Sequence, residues 1–262
     1  MQSGCHGSFV SELNLNIKAG RIVDFRHQLI PVDESVVPDP EMAMLAESAM
    51  SPYRAHLSQV IGKTDIALHR TENLQSSMDD VLLAAISHAA DTTITFSNGW
   101  RYGAPIPPGP VTVNDIWNII PTNPPVSPLM MTGAEIREMM EENLERTFSS
   151  DPFGQMGGYL KRFRGLTIHG KIENPAGHRI EHIFTKDSAI ENDVDYHVAF
   201  VKEQGVPKEY GRARQDLSID AISALQSYFR SPIQPRDSAW GVLSPHSQSF
   251  VILIQLRCLR RK

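Results

Sequence analysis

Cysteine, long apolar runs and excess positive charge are all scarce in this sequence of 262 residues. Its two cysteines, Cys5 and Cys258, lie at opposite ends and form no Cys-x-x-Cys pair, so neither a zinc site nor a disulfide framework is indicated. No apolar run approaches the roughly 20 residues that span a bilayer. The formal net charge of -5 gives no broad basic surface. We therefore expect neither a membrane nor a nucleic acid as a partner.

Motifs of known catalytic sites are also missing. The ten histidines form no His-Glu-x-x-His or His-x-His spacing, and there is no Gly-x-Ser-x-Gly elbow, P-loop or dinucleotide-binding glycine pattern. Two carboxylate pairs, Asp79-Asp80 and Glu141-Glu142, lie on predicted helices whose other face is apolar. We interpret both pairs as solvated surface charge. No complete catalytic apparatus is visible.

The N-terminal part of the chain predicts a β-hairpin followed by a helix. Apolar side chains fall mainly on alternate positions from Phe9 to Ile17, and a second apolar run, Arg21 to Phe25, follows a Lys-Ala-Gly turn. A proline-rich boundary comes next. Asp39 then predicts the N-cap, and Pro40 the first position, of a connecting helix.

The rest of the chain predicts helices interspersed with strands. Ser77 is expected to cap a second helix, which leads into a strand from Thr92 to Phe96. Thr132 and Glu135 form the capping box of a third helix, whose apolar stripe, with its methionines, is expected in the core.

The C-terminal half continues with a hairpin and one more strand and helix. The hairpin is predicted around Asn174-Pro175-Ala176-Gly177, the strand from Tyr196 to Val201, and the helix from Leu217 to Leu225. Because hairpins occur among irregularly alternating helices and strands, we expect an α+β (mixed α/β) fold with a mixed sheet rather than a doubly wound parallel sheet.

Two glycine-containing runs carry the candidate binding residues. The first, Ser97 to Gly103, places backbone N-H groups and Arg101 in one turn, and a guanidinium binds phosphate or carboxylate through two parallel hydrogen bonds. In the second, Gly157 and Gly158 allow close backbone approach and Tyr159 offers a ring for stacking. The alternatives, a surface arginine in a turn and an irregular loop, stay open from spacing alone.

These runs belong to a series of segments that resembles the C-terminal part of the bifunctional metallophosphoesterase/5'-nucleotidase family, from about Gly4 to Trp240. The order and spacing of the segments make the resemblance more specific than any one of them. They are Gln2 to Leu15 (closing strand of the metallophosphatase domain), Thr71 to Leu82 (opening helix of the substrate domain), Ser97 to Ile120 (the Asn-Gly-Gly-Gly-Ile-Arg segment and its sequel), Met131 to Ile136 (the Leu-Thr-Gly helix start) and Gly157 to Leu166 (the Gly-Gly-aromatic-Leu-Gln loop).

The resemblance implies a binding role, because the C-terminal domain of that family binds the nucleoside while a two-metal N-terminal domain cleaves the phosphoester. Gln204-Gly205-Val206-Pro207 departs from the family, standing where a Gly-Gly-Asp-Gly-aromatic run would supply a second ring. Tyr210 is the candidate replacement for that ring. The implied contacts to a nucleotide or related anionic small molecule are Asn98, Gly99, Arg101, Gly157, Gly158, Tyr159 and Tyr210.

The same resemblance implies a domain division and the place of the metals. Residues 1–38 would be a remnant of the metallophosphatase domain, 39–61 a linker helix, 62–243 the 5'-nucleotidase C-terminal-like domain and 244–262 a disordered tail. It implies no cofactor in this chain and a divalent metal pair in a missing N-terminal domain, which another chain could carry. On this view the chain is truncated, or half of a split enzyme, and silent alone. The family suggests a periplasmic or extracellular location.

Two other interpretations remain open. The shortened Asn-Gly-Trp-Arg turn and the Asp-Pro-aromatic-x-Gln-x-Gly-Gly run of residues 151–158 look closer to the thiosulfohydrolase branch of the superfamily, whose substrate is a sulfur-bearing conjugate. The third interpretation is an interaction module without a small-molecule role.

Overall fold

The computed structural model describes residues 7–72, 76–99, 103–156, 160–186 and 188–231. Four of the predicted contacts, Arg101, Gly157, Gly158 and Tyr159, lie outside these ranges, as does the predicted tail 244–262. The chain divides into two compact units, Met1–Leu57 and Ser58–Lys262. Within the described ranges, no helix combines the length and the apolar character that crossing a bilayer requires.

The first unit contains the predicted hairpin and helix. Strands β1 (Phe9–Lys18) and β2 (Arg21–Pro31) pair antiparallel, and helix α1 (Pro40–Leu57) follows. The Asp39 carboxylate accepts a hydrogen bond from the Met42 N-H at 2.9 Å, which confirms the expected N-cap. Leu15 and Phe25 lie opposite each other in the hairpin and are 45% and 67% exposed, so the hairpin presents apolar side chains at its surface.

The second unit holds the remaining described elements. They are β3 (Val60–Thr64), α2 (Ser77–Ala90), β4 (Ile94–Ser97), β5 (Gly109–Thr112), α3 (Val113–Ile119), β6 (Val126–Thr132), α4 (Gly133–Phe148), β7 (Arg162–Arg164), β8 (Thr167–Gly170), β9 (Ile180–Phe184), β10 (Asp195–Val201) and α5 (Ala221–Arg230).

The largest described sheet is mixed, as the sequence predicts. Its order is β6-β10-β4-β7, in which β10 runs parallel to β4 and antiparallel to β6, while β7 runs antiparallel to β4. Strands β8 and β9 form the predicted hairpin, with Gly177 in the left-handed conformation in the connection. The α+β prediction is therefore confirmed.

The core lies between the central sheet and the helices. Phe96 of β4, Val198 of β10 and Leu129 of β6 are almost completely buried, and they pack in one cluster with Met139 and Met140 of α4. The prediction that these methionines belong to the core is confirmed. The capping box of α4 is also present, since the Thr132 side chain accepts from the Glu135 N-H and the Glu135 carboxylate accepts from the Thr132 N-H.

Some predicted boundaries are wrong by a few residues. The N-cap of α2 is Ser76 rather than Ser77, because the Ser76 hydroxyl accepts from the Asp79 N-H. The Ser77 hydroxyl instead donates to the Ala67 carbonyl at 2.8 Å and so ties the helix to the preceding loop. Strand β4 starts at Ile94, and α5 starts after its N-cap Asp220, which leaves Leu217 outside the helix.

Candidate functional site

The strand directions of the central sheet bring three separate segments to one edge. Because β4 and β10 are parallel, the residues that follow Ser97 and Val201 leave the sheet on the same side. Strand β7 is antiparallel to β4 and pairs Arg162 with Ser97, so the residues that precede Arg162 arrive at that side too. In open α/β sheets the carboxyl ends of parallel strands are common ligand sites, and β4 and β10 are a parallel pair. Segments 97–99, 160–162 and 202–211 form what we call the binding edge.

Asn98 connects two of these segments directly. Its side-chain amide donates to the Gln204 side-chain oxygen at 2.6 Å, although the two residues are far apart in the sequence. Gly205, the next residue, packs so closely that a Cβ built on it would lie 3.3 Å from the Phe96 carbonyl oxygen of β4. The loop after β10 is therefore held against the end of β4.

Gly99 allows the other two segments to meet. Its φ of +44° is a conformation that favours glycine, and a Cβ at this position would lie 2.3 Å from the Leu160 carbonyl oxygen and 3.1 Å from the Arg162 Nε. The structure thus places Asn98, Gly99 and Leu160 together. Gly99 is two residues from Arg101 in the sequence, and Leu160 directly follows Tyr159. Arg101 and Tyr159 themselves lie outside the described ranges.

A buried ion cluster holds Arg162, a residue of the binding edge, through the Asp79 carboxylate. The Asp79 carboxylate, whose side chain is 1% exposed, accepts from the Arg70 Nε at 2.9 Å and from the Arg162 Nε at 3.2 Å. The Ser76 hydroxyl donates to the same carboxylate at 2.6 Å, and Arg162 Nη2 donates to the Glu72 carbonyl at 2.7 Å. One carboxylate therefore joins the start of α2 to the start of β7.

This cluster overturns the interpretation of Asp79 as solvated charge, and Glu141 requires the same correction. Glu141 is 7% exposed and accepts from the backbone N-H groups of Arg179 at 3.1 Å and Ile180 at 2.6 Å. Asp79 lies on the same side of α2 as the buried Leu82, Leu83 and Ile86, which follow it by three, four and seven residues. Segments distant in the sequence cover both carboxylates and supply hydrogen-bond donors, which balance the cost of burying charge.

Side chains of two other residues, Arg214 and Glu135, hold the loop after β10. The Arg214 guanidinium donates to the Val206 carbonyl at 3.0 Å and to the Pro207 carbonyl at 2.8 Å, and it stacks 4.6 Å above the Phe200 ring. The Glu135 carboxylate accepts from the Gly211 N-H at 2.9 Å. Partial burial acts to raise the pKa of Glu135, but the hydrogen bonds from Thr132 and Gly211 outweigh it, so this pKa is lowered.

Tyr210 lies in this loop, and its position argues against the expected stacking role. The residue is 7% exposed within the core cluster, and its hydroxyl donates to the Glu142 carboxylate at 3.1 Å. Burial, followed by the nearby negative charge of Glu142, raises the pKa of Tyr210 above its usual range. A ring packed in this way has no free face for a base, so we remove Tyr210 from the proposed ligand contacts.

Lys161 is a buried residue of the binding edge that the sequence analysis missed. Its Nζ donates to the Gln204 carbonyl at 2.7 Å and to the Gly205 carbonyl at 2.8 Å. Burial lowers the pKa of this amine to about 8, against the opposing attraction of Glu142. Lys161 directly follows the Gly-Gly-aromatic-Leu run, and this position could have identified it as a residue near the candidate site.

Metal-ligand geometry is not visible in the described part of the chain. Among residues 7–72, 76–99, 103–156, 160–186 and 188–231, no group of three or more histidine, cysteine, aspartate or glutamate side chains could hold a metal ion. The resemblance places its metal pair in an N-terminal domain outside this chain, and that expectation stays a prediction. The polar groups described at the binding edge are amide, guanidinium and ammonium groups.

Comparison with known proteins agrees with this architecture. The model of the family described as 5'-nucleotidase, C-terminal domain matches residues 55–202, more than half of the chain. The trifunctional nucleotide phosphoesterase protein YfkN of Bacillus subtilis is 27% identical over 188 residues, which cover 65% of this chain and 12% of that protein.

Two solved structures share the fold at low sequence identity. A sulfate thiohydrolase SoxB from Thermus thermophilus matches with a TM-score of 0.77 and 23% identity, over 86% of this chain and 42% of that one. A 5'-nucleotidase precursor, also from Thermus thermophilus, matches with a TM-score of 0.71 and 19% identity, over 86% of this chain and 47% of that one. The chain thus spans about an eighth of the curated relative and less than half of each structure.

Proposed function

Because the chain belongs to the 5'-nucleotidase C-terminal domain family, we propose that it is the substrate-recognition domain of a metal-dependent 5'-nucleotidase-like phosphoester hydrolase. One observation carries this proposal: the end of β4, the start of β7 and the loop after β10 converge at one edge of the central sheet. The proposed ligand is a nucleotide or a related anionic small molecule.

The proposed contacts are of two kinds, polar groups for the anionic part of the ligand and an aromatic ring for its flat part. Asn98 and Gly99 at the end of β4 contact the ligand through amide groups, and Arg101 pairs with its anionic part. Gly157 and Gly158 allow the backbone to approach closely, and Tyr159 stacks on the flat part. The observed contact between Gly99 and Leu160 supports this arrangement, because it joins the flanks of the two runs.

Bond cleavage requires a metal domain beyond the residues described here. A divalent metal pair would supply a metal-bound hydroxide and would neutralise the phosphoryl oxygens. We propose that the apolar surface of the β1–β2 hairpin, which includes Leu15 and Phe25, packs against such a domain, in the same protein or on another chain. The role of this chain is to hold the ligand and to orient its phosphate toward that domain.

Calorimetry with AMP, adenosine and inorganic phosphate tests the binding role. The parent chain is compared with Arg101→Ala and Tyr159→Ala, and with Arg26→Ala and Tyr53→Ala as matched controls on the exposed first unit. We expect Arg101→Ala to weaken the binding of AMP by at least ~10-fold, since a charged hydrogen bond contributes ~1.5–3 kcal/mol. Tyr159→Ala should weaken the binding of AMP and adenosine and leave the binding of phosphate unchanged. A parent that binds none of the three ligands, or two site variants that bind like the parent, would refute the proposal.

A second candidate ligand is a sulfur-bearing conjugate of the kind that the thiosulfohydrolase branch uses. The burial of Tyr210 favours it, because a site without a second ring has less reason to select an aromatic base. S-sulfocysteine added to the same titrations separates the two. Tighter binding of S-sulfocysteine than of AMP would favour the thiosulfohydrolase interpretation, and the reverse order would favour the nucleotide.

A further inference from the structure

Lys161 makes contacts that join the two sides of the binding edge. The residue is 6% exposed, and its ammonium group donates to two consecutive carbonyls, those of Gln204 and Gly205. Its own backbone N-H donates to the Asn143 side chain of α4 at 2.7 Å, which fixes the base of the side chain. A lysine is rarely buried to this degree unless its donors are occupied.

The Gln204-Gly205 turn is the same turn that holds Asn98. The Gln204 backbone carbonyl accepts from Lys161, while its side-chain oxygen accepts from the Asn98 amide at 2.6 Å. Lys161, Gln204 and Asn98 therefore form a chain of hydrogen bonds from the start of β7, across the turn, to the end of β4. Asn98 is one of the proposed ligand contacts.

We propose that Lys161 is a positioning residue for the binding edge, fixing the Gln204-Gly205 turn and, through Gln204, the orientation of the Asn98 amide toward the ligand. The part of this inference that concerns the ligand rests on the proposed function. The part that concerns the turn stands on the observed contacts alone. Lys161 itself is not assigned a contact with the ligand.

Two measurements on the ligand-free chain test the first part. One is hydrogen exchange of residues 202–207 by mass spectrometry, and the other is the NMR signal of the Asn98 side-chain amide. Lys161→Met removes both hydrogen bonds. Lys208→Gln is the control, because Lys208 lies on the same loop with its side chain 74% exposed, and an exposed ion pair such as the one it forms with Glu203 contributes only ~0–1 kcal/mol. Lys161→Leu, which also lacks a donor, replaces Lys161→Met if that variant fails to fold.

Lys161→Met should speed exchange in residues 202–207 by at least ~5-fold, because two hydrogen bonds of ~0.5–1.5 kcal/mol each are lost. The Asn98 amide signal should move in the same variant, while α4 exchanges as in the parent and Lys208→Gln changes neither signal. Exchange in residues 202–207 that stays at the parent rate, or an Asn98 signal that does not move, would overturn the proposal.

A double-mutant cycle with AMP tests the second part. Lys161→Met should weaken AMP by about 10-fold in the parent background and by less than about 2-fold in an Asn98→Ala background, because Lys161 acts through Asn98. Equal losses in the two backgrounds would show an independent effect and would reject the positioning role. If the parent binds no AMP, the proposed function fails, and the exchange and NMR results still decide whether Lys161 positions the turn.

Discussion

Replacing Lys161 by methionine should change how the stability of the protein depends on pH. Burial lowers the pKa of the Lys161 amine from 10.5 to about 8 in the folded chain, while Glu142 and Glu209 favour its charged form and Arg146 opposes it. The unfolded chain therefore binds more protons than the folded chain between pH 8 and pH 10.5, so the stability contributed by this residue rises with pH across that window. The full difference corresponds to ~3 kcal/mol, at ~1.4 kcal/mol per pH unit.

Urea unfolding followed by circular dichroism at pH 7, 8, 9 and 10 measures this effect. The free energy of unfolding of the parent minus that of Lys161→Met should rise by about 1 kcal/mol from pH 7 to pH 9 and by about 2–3 kcal/mol from pH 7 to pH 10. Any constant cost of losing the two hydrogen bonds cancels in this slope. The exposed control Lys208→Gln should give a flat difference. A flat difference for Lys161→Met as well would show that burial does not lower the pKa of its amine.

Two further substitutions test the supports of the binding edge. Asp79→Asn removes the charge shared by two buried arginines and should lower the free energy of unfolding by ~3–5 kcal/mol. The control Asp65→Asn, on a side chain that is 90% exposed, should change that free energy by less than ~0.5 kcal/mol. Equal changes for the two variants in chemical denaturation would contradict the buried cluster. Gly99→Ala should cost several times more stability than Gly177→Ala, because both glycines have positive φ but only Gly99 has an atom within 4 Å of the added Cβ. Equal losses in melting temperature for the two alanine variants would argue against close packing of Gly99 on Leu160.

Local patterns in the sequence were sufficient to predict several elements whose signals are short-ranged. The capping box at Thr132 and Glu135, the hairpin turn at Gly177 and the Asp39 cap each depend on residues within a few positions of one another. Strand β7 has only three residues, and among the residues that the structure describes β3 pairs with β5 alone. Neither has a pattern of its own, so both were missed.

The candidate site was predicted in part. The two glycine-containing runs were identified by composition and by resemblance, and the structure brings the flanks of both, Gly99 and Leu160, into contact. The roles of Arg101 and Tyr159 stay predictions. Lys161 and the carboxylate of Asp79 were not recognised, because a lone charged residue in a sequence is read as exposed unless its partners are known.

The sequence by itself determined the family, the α+β class and the caps of α1 and α4, since these depend on residue order and on near neighbours. Only the tertiary structure decided which polar groups are buried. Asp79, Glu141 and Lys161 are enclosed by segments far away in the chain, and Tyr210 turns its ring into the core. The physical reason is that burial depends on which distant segments the strand order of the sheet brings together. The type and the spacing of a residue do not indicate which segments will cover it.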